Sequence, residues 1–300
     1  MLAGLILIGL AYLYGLRGNT QEVWMRGRSA IIWMIARWQW KGVEDADFSH
    51  GWLIPIISAA IVWTKRQQLA NAKKATSWIG LGVVVWSLFL YWVGARGQLT
   101  RISLLSLIGL LWGIPFYLYG RHVARVLLFP CAYLVFCVPM SFLNNITVPL
   151  RLMASSLSAH ILNGLGVPVT RVGTLIASTG AADFRFGVDD PCSGLKYLIA
   201  MVALTAVYAY FAPLGRIRKW FLFLAAVPLA ITGNICRIVV IALIARFFGW
   251  EYAEGIYHDF SGLIVFSAAV LLMIGLGRLL SVNYMELVLK WKQQATGTTA

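Results

Sequence analysis

Charged side chains are scarce in this sequence. Asp, Glu, Lys and Arg make up 12% of its 300 residues, whereas a soluble domain carries about twice that fraction. Hydrophobic residues account for 60% of the chain, and the mean hydropathy is +0.78. This composition excludes an ordinary soluble globular domain and predicts a polytopic membrane protein.

Several common motifs are also missing. The four cysteines show no C-x-x-C spacing, which argues against zinc and thioredoxin-like sites. We predict neither a metal nor a cofactor. The first apolar run has no basic segment before it and no clear A-x-A site, so we expect a permanent span rather than a signal peptide. Because no repeat, low-complexity linker or soluble domain is present, we expect one integral membrane domain over 1–300.

The net charge of +14 is distributed along the chain rather than gathered in one block, so nucleic acid is not expected as a partner. Basic residues occupy alternate loops, which the positive-inside rule assigns to the cytoplasm. These residues are Lys65, Arg66, Lys73, Lys74, Arg121, Arg125, Arg216, Arg218, Lys219, Arg278, Lys290 and Lys292. The acids of the intervening loops are expected outside. They are Glu44, Asp45, Asp47, Asp183, Asp189, Asp190, Glu251, Glu254 and Asp259.

Eight apolar runs are long enough to be considered as membrane spans. They cover 2–16, 48–63, 78–95, 102–120, 126–150, 195–214, 220–249 and 260–278. The fold class we predict is an all-α polytopic membrane protein with about eight transmembrane helices. This topology places Arg17, Arg26 and Arg28 outside, which conflicts with the positive-inside rule. The Trp-rich stretch at 29–40 is short for a span and is expected to be an interfacial helix.

The longest outward loop is predicted at 151–192. Residues 183–189 alternate polar and apolar side chains, which is strand periodicity. Residues 167–176 can form the partner strand, with 178–180 as the turn. We therefore expect a small amphipathic hairpin over the membrane surface, ending at Cys192.

Cys192 comes one short turn before the span at 195–214. The unpaired amides and positive dipole end of a helix N-terminus favour thiolate over thiol. Gly194 would let backbone or substrate approach closely, and Ser193 suits a helix start. Two other interpretations stay open at this stage. Cys192 can be a structural cysteine, or it can form a disulfide with Cys236.

Arg237 lies inside the apolar run 220–249. An ionised residue within a span is costly, which favours a functional role. At ~1.5 Å per residue from Trp220, it is expected about 25 Å along the helix, close to the outer surface. Asn234 shares its face and can orient the guanidinium or a substrate. Pro228 and Gly233 are expected to bend or interrupt the helix. Alternatively, Arg237 snorkels to the interface or pairs with one of two nearby aspartates, Asp189 and Asp190.

His258 is at the start of the last predicted span. A solvated or helix-capping role is one interpretation of this histidine, and proton transfer is the other. The topology brings a thiol, a guanidinium and an imidazole to the same side of the membrane. Together they form a plausible set for acyl transfer, in which the thiolate attacks a carbonyl, the imidazole moves the proton and the guanidinium holds the oxyanion.

Three segments follow one another at span boundaries: PCSGLKYL at 191–198, NICR at 234–237 and YHDFSG at 257–262. A fourth, DADFSHGWLIP at 45–55, lies near the N-terminus. This ordered combination resembles the exosortase/archaeosortase family of membrane transpeptidases. The resemblance covers roughly residues 35–280.

The resemblance implies roles for individual residues. Cys192 matches the family's nucleophile, Arg237 its essential arginine and His258 the third member of the site. It further implies a plasma (inner) membrane enzyme whose active site faces the periplasmic or outer side. The implied partners are membrane lipid and exported proteins bearing PEP-CTERM-type sorting signals, in which a recognition motif precedes a transmembrane helix and a basic tail. The protein would then be released onto a surface or extracellular acceptor.

Three residues fit this picture less simply. Asp189 and Asp190 precede the nucleophile and would oppose thiolate formation, unless Arg237 and His258 offset them or they bind something cationic. His50 can contact substrate or begin a helix. Two alternative functions remain: an intramembrane cysteine protease that uses water as acceptor, and an anion or lipid transporter built on a broken helix at Gly233.

Overall fold

The computed structural model describes residues 2–16, 29–39, 48–139, 142–180, 184–187 and 195–282. For residues 2–3, 142–147, 195–197, 254, 256–262 and 265 the description covers the backbone. The chain falls into two compact units, 1–144 and 145–300.

The first unit is helical wherever it is described, apart from short connections. Its elements are α1 (Leu2–Leu10) continuing as a π-helical turn (Ala11–Leu16), α2 (Ala30–Gln39), a 3₁₀ turn (Ser49–Trp52), α3 (Leu53–Thr64), α4 (Arg66–Ala70), α5 (Trp78–Arg96), α6 (Thr100–Tyr119), α7 (Arg121–Tyr133) and a 3₁₀ turn (Leu134–Cys137). The second unit follows with α8 (Phe142–Gly164), which begins just before the boundary.

Helices α5 and α6 form the tightest pair in the first unit. A Cβ atom at Gly80 would collide with the Tyr117 backbone, and one at Gly94 would lie 2.9 Å from the Ser103 amide nitrogen. Glycine at these positions therefore lets the two backbones approach closely, as small residues do in membrane helix pairs. Both helices also meet the length and hydropathy of a membrane span.

The two ends of the first unit differ in chemistry. At one end, the Ala75 amide donates to the Tyr119 carbonyl over 3.3 Å, and Lys74 lies 5.7 Å from the Tyr119 ring centroid. At the other end, the Trp38 indole nitrogen donates to the Cys137 carbonyl over 2.8 Å, which ties α2 to the end of α7. The predicted short helix at 29–40 is thus confirmed as α2. It closes the end opposite the basic loops.

The described part of the second unit combines four long helices with a small sheet. Its elements after α8 are β1 (Val169–Val172), β2 (Leu175–Ser178), β3 (Arg185–Gly187), α9 (Leu195–Phe211), α10 (Arg216–Phe248), α11 (Trp250–Glu254) and α12 (Ile256–Ser281). The strands are antiparallel in the order β1-β2-β3. Met201, Leu222 and Met273 lie in one buried cluster that joins α9, α10 and α12.

Two sequence predictions about this region are wrong. The span expected at 126–150 is two helices, because Val138 adopts an extended conformation before Pro139 (ψ 118°) and ends the helical run. The strand expected at 167–176 is two strands, β1 and β2, because the chain turns at Gly173 with φ +63°. The expected hairpin is therefore a three-stranded sheet, and the expected loop begins with α8.

The sheet packs against the C-terminal half of α10. Ile176 and Phe186 share one buried cluster with Ile238 and Ile241, which follow Arg237 by one and four residues. The Phe186 ring also stacks on Trp250, with centroids 5.8 Å apart and an interplanar angle of 11°. The sheet therefore rests on α10 directly beside Arg237.

Within the described ranges, three helices have the length and hydropathy of a membrane span: Trp78–Arg96, Thr100–Tyr119 and Arg216–Phe248. Four shorter apolar helices occur at Gly4–Leu16, Ser49–Thr64, Leu198–Phe211 and Phe266–Ser281. The number of eight spans stays a prediction. The interruption expected at Pro228 and Gly233 is not found, since α10 is one continuous helix of 33 residues.

The packing of the sheet predicts a difference between two of its aliphatic residues. Ile176 is 0% exposed and Val172 is 75% exposed. Ile176→Ala should lower the free energy of unfolding by about 2–5 kcal/mol, whereas Val172→Ala should leave it nearly unchanged. Thermal unfolding of the full-length protein in detergent, followed by circular dichroism, measures both. Equal midpoints for the two variants would contradict the packing of β2 on α10.

Candidate active site

Arg237 is the buried charged residue of α10. It is 3% exposed, and among the residues that the structure describes it is the one charged side chain that is buried. The interpretation that it snorkels is therefore wrong, because a snorkelling guanidinium keeps its head group at the surface of the protein. Burial of a charge costs several kcal/mol unless polar groups compensate it. Arg237 therefore requires a polar environment inside the protein.

Asn234 lies one helical turn before Arg237. Because α10 is helical throughout this region, residues three apart share a face. Cys236 points away from that face and is exposed. The Oδ1 atom of Asn234 is buried and accepts no hydrogen bond within the described chain. A buried acceptor without a donor is rare in folded proteins and calls for an explanation.

A hydrogen bond fixes the axial register of α9 and α10. Lys219 Nζ donates to the Tyr210 carbonyl over 2.7 Å at the basic end of this helix pair. Leu195 lies fifteen residues before Tyr210, and Asn234 lies fifteen residues after Lys219. At equal rise per residue, Asn234 is level with the start of α9, and Arg237 lies about 4.5 Å further towards that end.

The register of α9 and α12 brings the start of α12 to the same level. Thr205 Oγ1 donates to Met273 Sδ over 2.9 Å, and these two residues are 68 positions apart in the sequence. A second hydrogen bond between the same helices joins residues that are 66 positions apart. The helices therefore run parallel, and Leu195 is level with residues 261–263. His258 lies three to five residues nearer the end, about 5–8 Å above that level. The backbone at His258 and the buried Arg237 thus lie at similar depth.

Several predicted site residues lie outside the described part of the chain. They are Asp189, Asp190, Cys192, Ser193 and Gly194. The backbone of His258 is described as part of the first turn of α12. The expected pairing of Arg237 with an aspartate, the disulfide to Cys236 and the approach of Cys192 to Arg237 all stay predictions.

His50 belongs to the first unit. It lies in the 3₁₀ turn Ser49–Trp52, directly before α3, which fits the helix-start interpretation. Its ring centroid is 5.6 Å from that of Phe48. A role in substrate contact stays a prediction.

The sequence analysis missed the aromatic contact that holds the sheet beside Arg237. The alternation at 183–189 predicted a strand carrying Phe184 and Phe186, but it did not predict that Trp250 would be the stacking partner. The only signal in the sequence is that Trp250 follows Gly249, where the chain leaves α10 at a positive φ of 94°. That turn brings the indole back onto the sheet.

These features define a class: a helical membrane protein with a buried arginine at the level where two neighbouring helices begin. The model of the family described as transmembrane exosortase (Exosortase EpsH) matches residues 38–275. The chain therefore belongs to the transmembrane exosortase family. The resemblance predicted over roughly 35–280 is confirmed, and the match includes Cys192, Arg237 and His258. No curated protein and no solved structure shows a significant similarity to the chain.

The helix register predicts which position of α10 can be crosslinked to Cys192. In a variant whose other three cysteines are serine, a cysteine at position 237 should crosslink to Cys192 through a short bimane reagent. The matched control is Ala230→Cys, on the same face but two turns, about 10 Å, deeper. Mass spectrometry of the joined peptides gives the yields. A higher yield from position 230 than from position 237 would contradict the register.

Proposed function

We propose that this protein is a membrane cysteine transpeptidase that cleaves C-terminal sorting signals of exported proteins and transfers the proteins to a surface or extracellular acceptor. The observation that carries the proposal is the buried Arg237 of α10, at the depth where α9 and α12 begin. Membership of the transmembrane exosortase family supports the same reaction class. Cys192, Arg237 and His258 are the proposed catalytic residues.

Chain connectivity supports the choice of Cys192. It is three residues from Leu195, so its Cα lies within about 11 Å of the start of α9. That start is level with Asn234, one turn below Arg237. The side chain of Arg237 is long, so its guanidinium can interact with a group one helical turn away. By contrast, Cys236 is exposed on the opposite side of its helix.

The proposed reaction has two steps. In the first, the imidazole of His258 takes the proton of the Cys192 thiol, and the thiolate sulfur bonds to the carbonyl carbon of the scissile peptide. The Arg237 guanidinium stabilises the negative oxygen of the tetrahedral intermediate. The carbon–nitrogen bond then breaks, and the imidazolium gives its proton to the leaving amine. In the second step, a nucleophile on the acceptor attacks the thioester and regenerates the thiol.

The depth of the site suits a substrate with a transmembrane tail. Arg216, Arg218 and Lys219 begin α10, and Arg278 is near the end of α12, so both helices have a basic end. Arg237 is eighteen residues beyond Lys219, a rise of about 27 Å, which is close to the thickness of the hydrocarbon core. With the basic end in the cytoplasm, the site faces the periplasmic side of the inner membrane. A tail helix with cytoplasmic basic residues would end at the same depth.

The transporter alternative rested on a helix broken near Gly233. The continuity of α10 removes this support. The protease alternative shares the first step with the transpeptidase and differs in the acceptor. The mass of the released protein separates them, because hydrolysis leaves a free carboxyl terminus whereas transfer adds the mass of the acceptor.

Replacement of the proposed nucleophile gives the first functional prediction. Cys192→Ala should abolish processing of a tail-bearing substrate in membranes, because no thioester can form. Cys236→Ala removes an exposed thiol from α10 and is the matched control, which should retain full processing. Immunoblots of precursor and product, together with membrane levels of each variant, measure the outcome. Normal processing by Cys192→Ala would refute the mechanism.

The buried oxygen of Asn234 suggests that this residue accepts a hydrogen bond from a substrate peptide N–H. A buried acceptor that lacks a donor destabilises the free enzyme by roughly 1–3 kcal/mol. Its donor would then be present only in the complex. Asn234 would hold the peptide one turn below Arg237, with the scissile carbonyl directed at the guanidinium.

Asn234→Leu should separate stability from activity. Loss of the unsatisfied oxygen should leave the midpoint of thermal unfolding unchanged or higher, while kcat/KM for processing should fall about 10–100-fold, as expected for one lost hydrogen bond of roughly 1.4–2.8 kcal/mol. The control is Thr232→Val, which removes a polar group from the exposed side of the same helix. A large loss of stability with unchanged activity per folded molecule would show that Asn234 is structural.

A further inference from the structure

Five exposed cations lie together at one end of the first unit and form what we call the basic surface. They are Arg66, Lys73, Lys74, Arg121 and Arg125. The loop that carries the two lysines is joined to the end of α6, because the Ser77 amide donates to the Tyr117 carbonyl over 3.0 Å. A Cβ atom at Gly120, between α6 and α7, would collide with the Ala75 carbonyl of the same loop. The first turn of α7 therefore lies beside the two lysines.

Arg66 reaches the same level through α3. Helices α3 and α7 are antiparallel, since the turn before α3 and the turn after α7 both contact Trp38. Ser58 Oγ donates to the Pro130 carbonyl over 2.8 Å and fixes their register. Arg66 is eight residues after Ser58, and His122 is eight residues before Pro130. At equal rise per residue, Arg66 is level with the first turn of α7.

No carboxylate of the described residues neutralises the basic surface. The described ranges of this unit contain no Asp or Glu, and the five cations make no ion pair within them. Glu22 shares the stretch 17–28 with three arginines. The other three acids of the unit lie between Gln39 and Phe48, at the end where α2 is tied to the turn after α7. That end is opposite the basic surface, which therefore keeps a net positive charge.

Exposed aromatic rings accompany these cations. Trp63 is 68% exposed and Trp78 is 81% exposed. The guanidinium carbon of Arg66 lies 4.8 Å from the centroid of the Trp63 ring, and Lys74 Nζ lies 5.7 Å from that of Tyr119. Trp and Tyr are enriched where a membrane protein crosses the interface between lipid tails and headgroups. The rings therefore indicate that the cations beside them lie at the depth of the headgroups.

From these observations we propose that the basic surface binds the headgroups of anionic phospholipids. Phosphate oxygens accept charge-assisted hydrogen bonds from guanidinium and ammonium groups. Each Lys or Arg near an anionic membrane surface strengthens such binding about fivefold. The exposed rings favour a lipid over an acidic segment of a soluble protein, because lipid tails can cover them. The surface contains none of the proposed catalytic residues, so either proposal can fail without the other.

The test uses the full-length protein in nanodiscs of phosphatidylglycerol and phosphatidylcholine. Native mass spectrometry after transfer to detergent counts the lipids that stay bound, and the mole fraction of phosphatidylglycerol at half occupancy gives the affinity. Lys74→Gln and Arg125→Gln should each lower this affinity about fivefold, and the double variant Arg121→Gln/Arg125→Gln about 25-fold. Arg96→Gln is the matched control and should bind as wild type does. Arg96 is an exposed arginine at the end of α5, at the opposite end of the same unit.

Two further measurements separate lipid binding from other effects. Arg125→Lys keeps the charge and should restore the affinity that Arg125→Gln loses, whereas unfolding midpoints in phosphatidylcholine alone should be equal for all variants. A polyglutamate peptide is the probe for an acidic protein partner and should not displace phosphatidylglycerol from wild type. Displacement by this peptide would overturn the proposal. So would equal retention of the two lipids by wild type, or binding by the Lys74 and Arg125 variants that matches Arg96→Gln.

Discussion

The cost of burying a guanidinium in a membrane protein constrains the second unit more than any other interaction. Arg237 is 3% exposed, and neither water nor lipid can solvate it from within that environment, so polar groups of the protein or its substrate must. The asparagine one turn away shares its face, two helices begin at its depth, and the residues that follow it on α10 are covered by a sheet.

The sheet meets a second requirement of the same kind, which is the pairing of buried backbone amides. The chain between α8 and α9 must cross the end of a helical bundle without leaving buried amides unpaired. Antiparallel pairing of β1, β2 and β3 satisfies these groups internally, and Ile176 and Phe186 anchor the sheet on α10. Because β3 ends at Gly187 and α9 begins at Leu195, both ends of the segment that carries Cys192 are attached to packed structure.

The sequence predicted the features that depend on local pattern and missed those that depend on distant contacts. Hydropathy located α5, α6 and α10, and the three-residue spacing of Asn234 and Arg237 placed both on one face. Hydropathy averaging could not detect the break at Pro139, because that break arises from the conformation of a single residue, Val138. The contacts of Arg37 and Arg101 with the Trp33 ring were missed for a different reason, because these three residues come together only through tertiary packing. The assignment of Cys192 came from family resemblance, since its helix-start position alone left structural alternatives open.

The two aspartates before Cys192 increase the charge compensation that the proposed mechanism requires of Arg237. A carboxylate about 4 Å from a thiolate opposes it by roughly 1 kcal/mol in water and 4 kcal/mol near a protein surface. A helix N-terminus returns only about 0.3–1 kcal/mol at an exposed site, which is too little to offset two such charges. A buried guanidinium acts through a lower effective dielectric and can offset them. On this mechanism Arg237 therefore has two tasks. It stabilises the oxyanion in the transition state, and it makes the thiolate accessible before substrate arrives.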